Sequence, residues 1–342
     1  MDQFKRDVQK EEPSFIVGLN RVGVKNIHKI IRIKNNNKDN LFYSEIDIYV
    51  DLLPQQKGAH MSRFDETITQ IIDETIQKNA MVLEDFASYM ADMARKKQGA
   101  NRAEVRIKAK YPVEEIAPAS KKKTQKINTV MARAVSTSEG TRHLFGVETN
   151  GMTVCPCAQQ MIKEYSEEKL LAEGFTKEEL KKVFKYIPLA SHNQRGTGVL
   201  MIGTKQKINA EELVKIVENS MSSKVLDLLK RVDELEIVKS AHQNPRFVED
   251  VVREMVAQAL ERFDFLEDDD YFLAKQTNYE GIHSYEVYAE RSGKIREIKA
   301  EIEEANLNKV NSSKDNHYIN CENTTAEKWL QNTGGSASET IN

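Results

Sequence analysis

Cys155-Pro156-Cys157 stands where a strand-like run, residues 145–153, gives way to a helical pattern, and Ser191-His192-Asn193-Gln194-Arg195-Gly196 follows farther along. A thiol at a strand-to-helix junction and an imidazole in a polar, glycine-bounded turn are donors for a metal or thiolate site. The same letters also describe two buried cysteines and a solvated loop histidine, since free Cys is among the most buried residue types. Further donors lie downstream: Glu234 at a helix end, and Glu280 and His283 in the turn between the last two strand patterns. A carboxylate and an imidazole together can hold an ion and tune its water. Glu249 borders the apolar stripe Val248, Val251, Val252 and Met255, either as a rim charge paired with Arg253 or as an inward anchor for a ligand. Residues 57–63 (KGAHMSR) lead into a helix; His60 and Arg63 fit a phosphate cradle there and equally fit a solvated cap. Lys121-Lys122-Lys123 reads as a solvated charge run.

The elements that must position these residues show in the hydrophobic period. Residues 27–33 and 45–52 read as strands, the second with Ile46, Ile48, Val50 and Leu52 on one face. Ser62 with Asp65 marks a helix start, and Phe64, Ile68, Ile72 and Ile76 recur at helical spacing. Leu83, Phe86, Met90 and Ala94 make a second helix. Alternation returns at Ala103, Val105, Ile107 and Ala109, opposite Glu104, Arg106, Lys108 and Lys110, and residues 127–135 form a fourth strand. The second half repeats this grammar. Strands fit 143–153, 197–202, 271–279 and 285–291; helices fit the excursion 157–186 and residues 210–219 and 247–263, the last capped by Asn244 with Pro245 in its first turn. The plan is α+β: two antiparallel four-stranded sheets, each with helices on one face. The expected divisions are a flexible 1–13, a first module 14–136, a second module 137–305 holding most of the metal site, and a disordered polar tail 306–342. That tail is rich in Asn, Ser, Thr and Gly, too polar to offset its ordering entropy, and no role is read for Cys321 or Trp329 within it.

With 342 residues the chain has room for two cores. A content of 39% hydrophobic and 30% charged residues describes a soluble globular protein, and a net charge of -3 gives no overall field for nucleic acid or an anionic membrane. No apolar run approaches a membrane span, and the first residues lack the apolar stretch of a secretion signal. Three cysteines, two of them separated by one proline, make no disulfide framework, so a reducing cytoplasm is expected.

Taken together, seven segments resemble one family. Residues 57–63 (KGAHMSR), 101–105 (NRAEV), 154–159 (VCPCAQ), 192–196 (HNQRG), 228–234 (LLKRVDE), 244–250 (NPRFVED) and 281–283 before 288–291 (YAER) stand in the order found in the metal-dependent type IB GTP cyclohydrolases. Residues 21–24 (RVGV) and 155–160 (CPCAQQ) look most like the archaeal branch, which feeds methanopterin synthesis. The resemblance spans roughly residues 14–305 and implies two tandem tunnelling-fold modules that oligomerise into a barrel with active sites at subunit interfaces. It implies GTP as substrate and one divalent ion per subunit, Fe(II) first, with Zn or Mn as substitutes. Carried over motif by motif, Cys155, His192, Glu234 and His283 are the metal residues, with Glu280 a further contact. Cys155 and His192 are also the catalytic pair, Glu249 anchors the guanine edge, and His60 and Arg63 contact the triphosphate.

The implied product is formate plus 7,8-dihydroneopterin 2′,3′-cyclic phosphate, with loss of pyrophosphate. The alternative within the family is a folate-type enzyme that keeps the triphosphate. Archaeal relatives often carry a second histidine two residues after the one matching His283; here that position is Tyr285. A third reading, from another class, is a non-catalytic homo-oligomeric binding protein whose Cys and His residues close a structural Zn site, although such sites use tighter pairings than the spread from Cys155 to His283.

Overall fold

The computed structural model describes residues 7–35, 38–77, 81–311 and 324–332; Cys321 lies outside them. The first run of elements is β1 (Leu19–Asn35), β2 (Lys38–Leu52), α1 (Met61–Gln77), α2 (Leu83–Gln98), β3 (Ala103–Ile116) and β4 (Lys123–Thr137). The second is β5 (Gly140–Val154), α3 (Pro156–Ala172), α4 (Lys177–Tyr186), β6 (Asn193–Gly203), α5 (Ala210–Ser220), the two-residue β7 (Ser223–Lys224), α6 (Arg231–Gln243), α7 (Val248–Arg262), β8 (Tyr271–Tyr279) and β9 (Glu286–Lys294). Two more helices follow, α8 (Ile295–Asn311) and α9 (Ala326–Gln331). No helix among the described residues is long and apolar enough to cross a membrane.

The fold is α+β, but its strands form one sheet rather than two. The order is β1-β2-β3-β4-β5-β6-β8-β9, antiparallel throughout, with β7 beside β5. The merger happens at β4–β5, which pair from Thr129–Glu148 to Thr137–Gly140 across a two-residue turn that leaves the halves no room to separate. Gly140 closes that turn at φ +146°, a conformation that side chains resist.

Alternation puts one face of the sheet under the helices. Ile46, Ile48 and Val50 of β2, Val105 and Ile107 of β3, Phe145 and Val147 of β5, and Phe272 and Ala274 of β8 share one core with Phe64, Ile68, Phe86 and Met90 of α1 and α2 and with Leu213, Val217, Val251 and Met255 of α5 and α7. The opposite face carries a smaller cluster of Met131, Val135, Leu144, Met201, Tyr271 and Leu273. Trp329 and Leu330 of α9 cover it. The polar tail is therefore not wholly loose: Thr325 caps α9, and the indole Nε1 donates to the Asp269 carbonyl at 2.7 Å. One tryptophan and one leucine supply the apolar area that the average composition of the tail hides.

Three other expectations change. Residues 9–11 of the stretch expected to be flexible are docked, the N–H groups of Lys57 and Gly58 donating to the carbonyls of Glu11 and Gln9 at 3.1 Å each. Asn244 ends α6 rather than opening α7; Phe247 is the cap, its N–H donating to Asp250 Oδ2 at 3.0 Å. Glu104, placed by alternation among charges on the outer face, is fully buried. Arg21 Nε (2.9 Å), Arg102 Nη2 (2.8 Å), Arg106 Nε (2.8 Å) and Arg133 Nε (2.9 Å) all donate to it. Burial alone would raise its pKa, but the guanidiniums of Arg133, Arg102 and Arg106 outweigh that and hold it at about 2.

Candidate functional site

Antiparallel pairing gives the sheet two rims. The end of β2, the start of β3 and the β4–β5 turn share one; the β3–β4 turn, the end of β5, the start of β6 and the β8–β9 turn share the other. Cys155 follows directly on Val154, the last residue of β5, and Val154 pairs with Asn193, the first residue of β6. The Cys155 N–H therefore donates to the His192 carbonyl at 3.1 Å, and Ser191 Oγ donates to the Cys155 carbonyl at 2.6 Å. Thirty-six intervening residues, mostly in α3 and α4, close to a single backbone hydrogen bond.

The thiol sits at a helix start. Cys155 caps α3, its Sγ accepting from the Ala158 N–H at 3.5 Å, and Pro156 occupies the position where a missing N–H costs no bond. Gln159, one turn on, donates through Nε2 to the carbonyls of Leu189 (3.2 Å) and His242 (2.7 Å), so one amide ties α3 to the loop before His192 and to the end of α6.

His192 is held from its Nδ1 side. Gln194 Oε1 lies 3.1 Å from Nδ1 and Glu280 Oε2 lies 3.6 Å from it, with the Glu280 side chain 7% exposed. Glu280 arrives through the β6–β8 pairing, which sets Gly196 beside Asn278. Gly281 follows closely packed, a Cβ there falling 3.3 Å from the Asn193 carbonyl. Cys155, His192 and Glu280 thus gather in one place.

The remaining candidates are spread more widely. Glu234 shares the rim but is exposed in the first turn of α6. Its neighbour Asp233 is the buried one, accepting from the N–H groups of Ala119 (2.9 Å) and Ser120 (2.8 Å) in the β3–β4 turn and of Lys230 (2.9 Å). Burial opposes the charge of Asp233, but hydrogen bonds from Ser120, Lys230 and Ala119 prevail and hold its carboxyl well below the usual carboxylate range. Glu249 is exposed in the first turn of α7, which the Arg246 N–H docks to the Val154 carbonyl at 3.0 Å, beside Cys155. Arg253 pairs with Asp250 at 3.2 Å rather than with Glu249. His283 is exposed and stacks on Tyr285.

His60 and Arg63 lie at the other rim. The His60 N–H and carbonyl are bonded to the Gln98 side chain at 3.2 and 2.8 Å, and Arg63 Nη1 donates to the Lys97 carbonyl at 3.1 Å. A phosphate cradle that includes them does not form with the Cys155 group inside one chain. They follow β2 at the end of the sheet opposite to Val154.

A thiolate, an imidazole nitrogen and a carboxylate are a donor set that Fe(II) or Zn(II) accepts. With Nδ1 of His192 engaged, Nε2 is the nitrogen left for such an ion. The donor types fit, but among the described residues no group of three or more His, Cys, Asp or Glu side chains is placed to hold a metal. Glu234 and His283 belong to the same rim, where both are exposed. The sequence reading missed Gln159, Gln194, Thr153 and Asp233; Gln159, Gln194 and Asp233 lie inside segments it had singled out, and a polar side chain bonded to a distant partner leaves no periodic signal.

The model of the family described as "Type I GTP cyclohydrolase folE2" matches residues 6–289. The GTP cyclohydrolase MptA of Methanococcus vannielii is 38% identical over 307 residues, 87% of this chain and 98% of its own length. The GTP cyclohydrolase MptA of Methanosphaera stadtmanae is 40% identical over 307 residues, 86% and 98% of the two chains. Among solved structures, the uricase of Arthrobacter globiformis aligns over 82% of this chain and 94% of its own at a TM-score of 0.46 and 8% identity, too weak a likeness to argue from.

Proposed function

This chain belongs to the type I GTP cyclohydrolase folE2 family, and from that premise we propose that it hydrolyses GTP at C8 of the guanine ring. The observation that carries the reading is the Cys155–His192 backbone bond, which brings a cysteine and a histidine from distant segments to neighbouring positions on one rim of the sheet. Glu249 accepts hydrogen bonds from N1–H and the 2-amino group of guanine; adenine lacks that donor pair and is rejected. Cys155, His192, Glu234 and His283, with Glu280 behind His192, would hold a divalent ion, Fe(II) in this reading with Zn or Mn as substitutes. Such an ion supplies the Lewis acidity that brings the pKa of a water toward neutrality. Cys155, a ligand that could give way to substrate, and His192, which would hold the ion through Nε2, are the catalytic pair in this reading. Two hydrolytic cleavages release C8 as formate, after which the ribose rearranges and closes to a dihydropterin.

The product in this reading is 7,8-dihydroneopterin 2′,3′-cyclic phosphate with pyrophosphate, as the first step of a methanopterin pathway in the cytoplasm. Tyr285 in the place of a second histidine bears on phosphate cyclisation and on the choice of ion, and the dihydropterin triphosphate is the rival product. We place the working site between copies of the chain, in the barrel of a tunnelling fold. Support comes from exposed apolar side chains beside the site, Met161, Ile162 and Tyr165 on α3 and Val232, Leu235 and Val238 on α6. A second copy is also the route by which His60 and Arg63 would reach the triphosphate.

Anaerobic incubation of the Fe(II)-loaded protein with GTP, read by formate assay and by mass spectrometry of the pterin, tests all of this. One equivalent of formate per pterin is the expected result. No formate above a protein-free control, with metal content verified, rejects the hydrolase.

A further inference from the structure

The neighbours of His192 decide which of its nitrogens is free. Gln194 on β6 pairs directly with Thr153 on β5, so their side chains rise on the same face of the sheet. Gln194 Nε2 donates to Thr153 Oγ1 at 3.0 Å, and both residues are buried, Thr153 completely and Gln194 at 8% exposure. With Nε2 turned to Thr153, the other end of the amide faces the ring, and Oε1 lies 3.1 Å from His192 Nδ1. Glu280 Oε2 approaches the same nitrogen at 3.6 Å. A carbonyl oxygen and a carboxylate both accept, so the nitrogen they face carries the hydrogen. The amide turned over would present NH2 to Nδ1 and select the opposite tautomer.

We infer that Gln194, oriented by Thr153, is a positioning residue that keeps His192 in the Nδ1–H tautomer and leaves Nε2 as the ligating nitrogen. The inference rests on the reading of His192 as a metal residue. It gives the glutamine of the 192–196 segment a task distinct from ligation: the side chain touches neither ion nor substrate and acts through the ring beside it. Partners of this kind typically change metal affinity 10–100-fold when removed.

The test uses Zn(II) as probe, with affinity measured by competition against a chromophoric chelator and the tautomer read by long-range 15N–1H NMR of histidine side chains in metal-free protein. Thr153→Val removes the partner of Nε2 without touching His192; it should weaken Zn(II) binding about 10–100-fold and move the hydrogen from Nδ1 to Nε2. Thr153→Ser keeps the hydroxyl and should keep both signals. Adding Gln194→Glu to Thr153→Val presents an acceptor to Nδ1 in either rotation and should restore binding. Gln194→Met, which removes the acceptor with Thr153 intact, decides the matter if Thr153→Val fails to fold. Wild-type affinity and tautomer in Gln194→Met overturn the inference, as does a Thr153→Val loss that Gln194→Glu does not repair. His192→Ala separates the two levels: unchanged Zn(II) affinity there defeats the reading of His192 as a ligand, whereas its loss beside an unaffected Gln194→Met defeats only the tautomer argument.

Discussion

His283 stacks on Tyr285, with ring centroids 4.9 Å apart and planes 9° from parallel. Both rings are exposed, so the contact restrains His283 in a turn that nothing else among the described residues fixes by a side-chain hydrogen bond. A stacked aromatic pair contributes about 0.5–1.5 kcal/mol beyond area burial. Tyr285→Ala should therefore lower the rate of formate release about fivefold, since 1.4 kcal/mol is a factor of ten. Guanine affinity, assigned to Glu249, should stay as it is. An unchanged kcat would show that the stack does not set the position of His283.

Glu249→Ala separates recognition from ligation. The residue is exposed at the start of α7 and pairs with no cation that the structure displays, Arg253 being taken by Asp250. Removing a carboxylate that pairs with two ring donors should cost kcat/KM for GTP at least 10³-fold. Metal content, measured by elemental analysis, should match wild type. Retained GTP turnover would strike Glu249 from the site.

The period of the chain made most of this fold legible. Ile46, Ile48 and Val50 in β2 and Phe86, Met90 and Ala94 in α2 are buried as their spacing requires, because burying one face is the dominant favourable term. Periodicity does not reveal which strand pairs with which, so the β4–β5 pairing that merges the halves could not be read from it. For the site, the Cys155 and His192 motifs led to residues in contact. The placement of His60 at the opposite rim depends on strand direction and is invisible in a motif. Glu104 misled for a related reason: alternation assigns a face to a residue, and only the tertiary fold brings four arginines to it.

Replacing Glu104 leaves those arginines facing one another. Breaking a buried ion pair from one side costs about 3–5 kcal/mol, so Glu104→Gln should lose most of that in urea unfolding. The native pKa of about 2 lies below the ordinary glutamate value of 4.5. The stabilisation is therefore full above pH 4.5 and fades as pH falls toward 2, where both folded and unfolded chains bind the proton. Wild type and Glu104→Gln should converge in stability across that window. Parallel curves would show that Glu104 is not the titrating group.

Glu84 works in the opposite sense. It lines a small cavity of about 50 Å³, partly open to solvent, beside Phe42, Tyr111, Phe145 and Ile208. The group nearest to satisfying it is its own backbone N–H, and burial lifts its pKa to about 7 from 4.5. A raised acid pKa means the folded protein holds a proton that the unfolded chain has released. Stability therefore falls as pH rises from 4.5 to 7 and stays lowered above it. Glu84→Gln keeps the shape without the charge and should gain on the order of 2–3 kcal/mol at pH 8, with little change at pH 4. Equal gains at both pH values would locate the effect in packing.

Trp329 joins the end of the chain to the open face of the sheet, and Gly203 is shaped to receive it. A Cβ on Gly203 would meet Trp329 Cη2 at 2.4 Å and Leu144 Cδ2 at 2.7 Å. Arg142 lies over the indole with its guanidinium carbon 4.7 Å from the ring centroid, and Tyr271 packs against it at 5.5 Å. Trp329→Ala should cost about 3–5 kcal/mol and expose Met131, Leu144 and Leu273 to a hydrophobic dye. Gly203→Ala should also destabilise the wild-type protein, since the indole cannot shift without leaving Arg142 and the Asp269 carbonyl. In the Trp329→Ala background the same methyl meets only Leu144 and should cost much less. The two effects are therefore expected to depart from additivity by at least 1 kcal/mol in urea unfolding, beyond the ~0.5 kcal/mol seen for independent sites. Strict additivity would mean that α9 leaves the sheet in solution and that Gly203 answers to Leu144 alone.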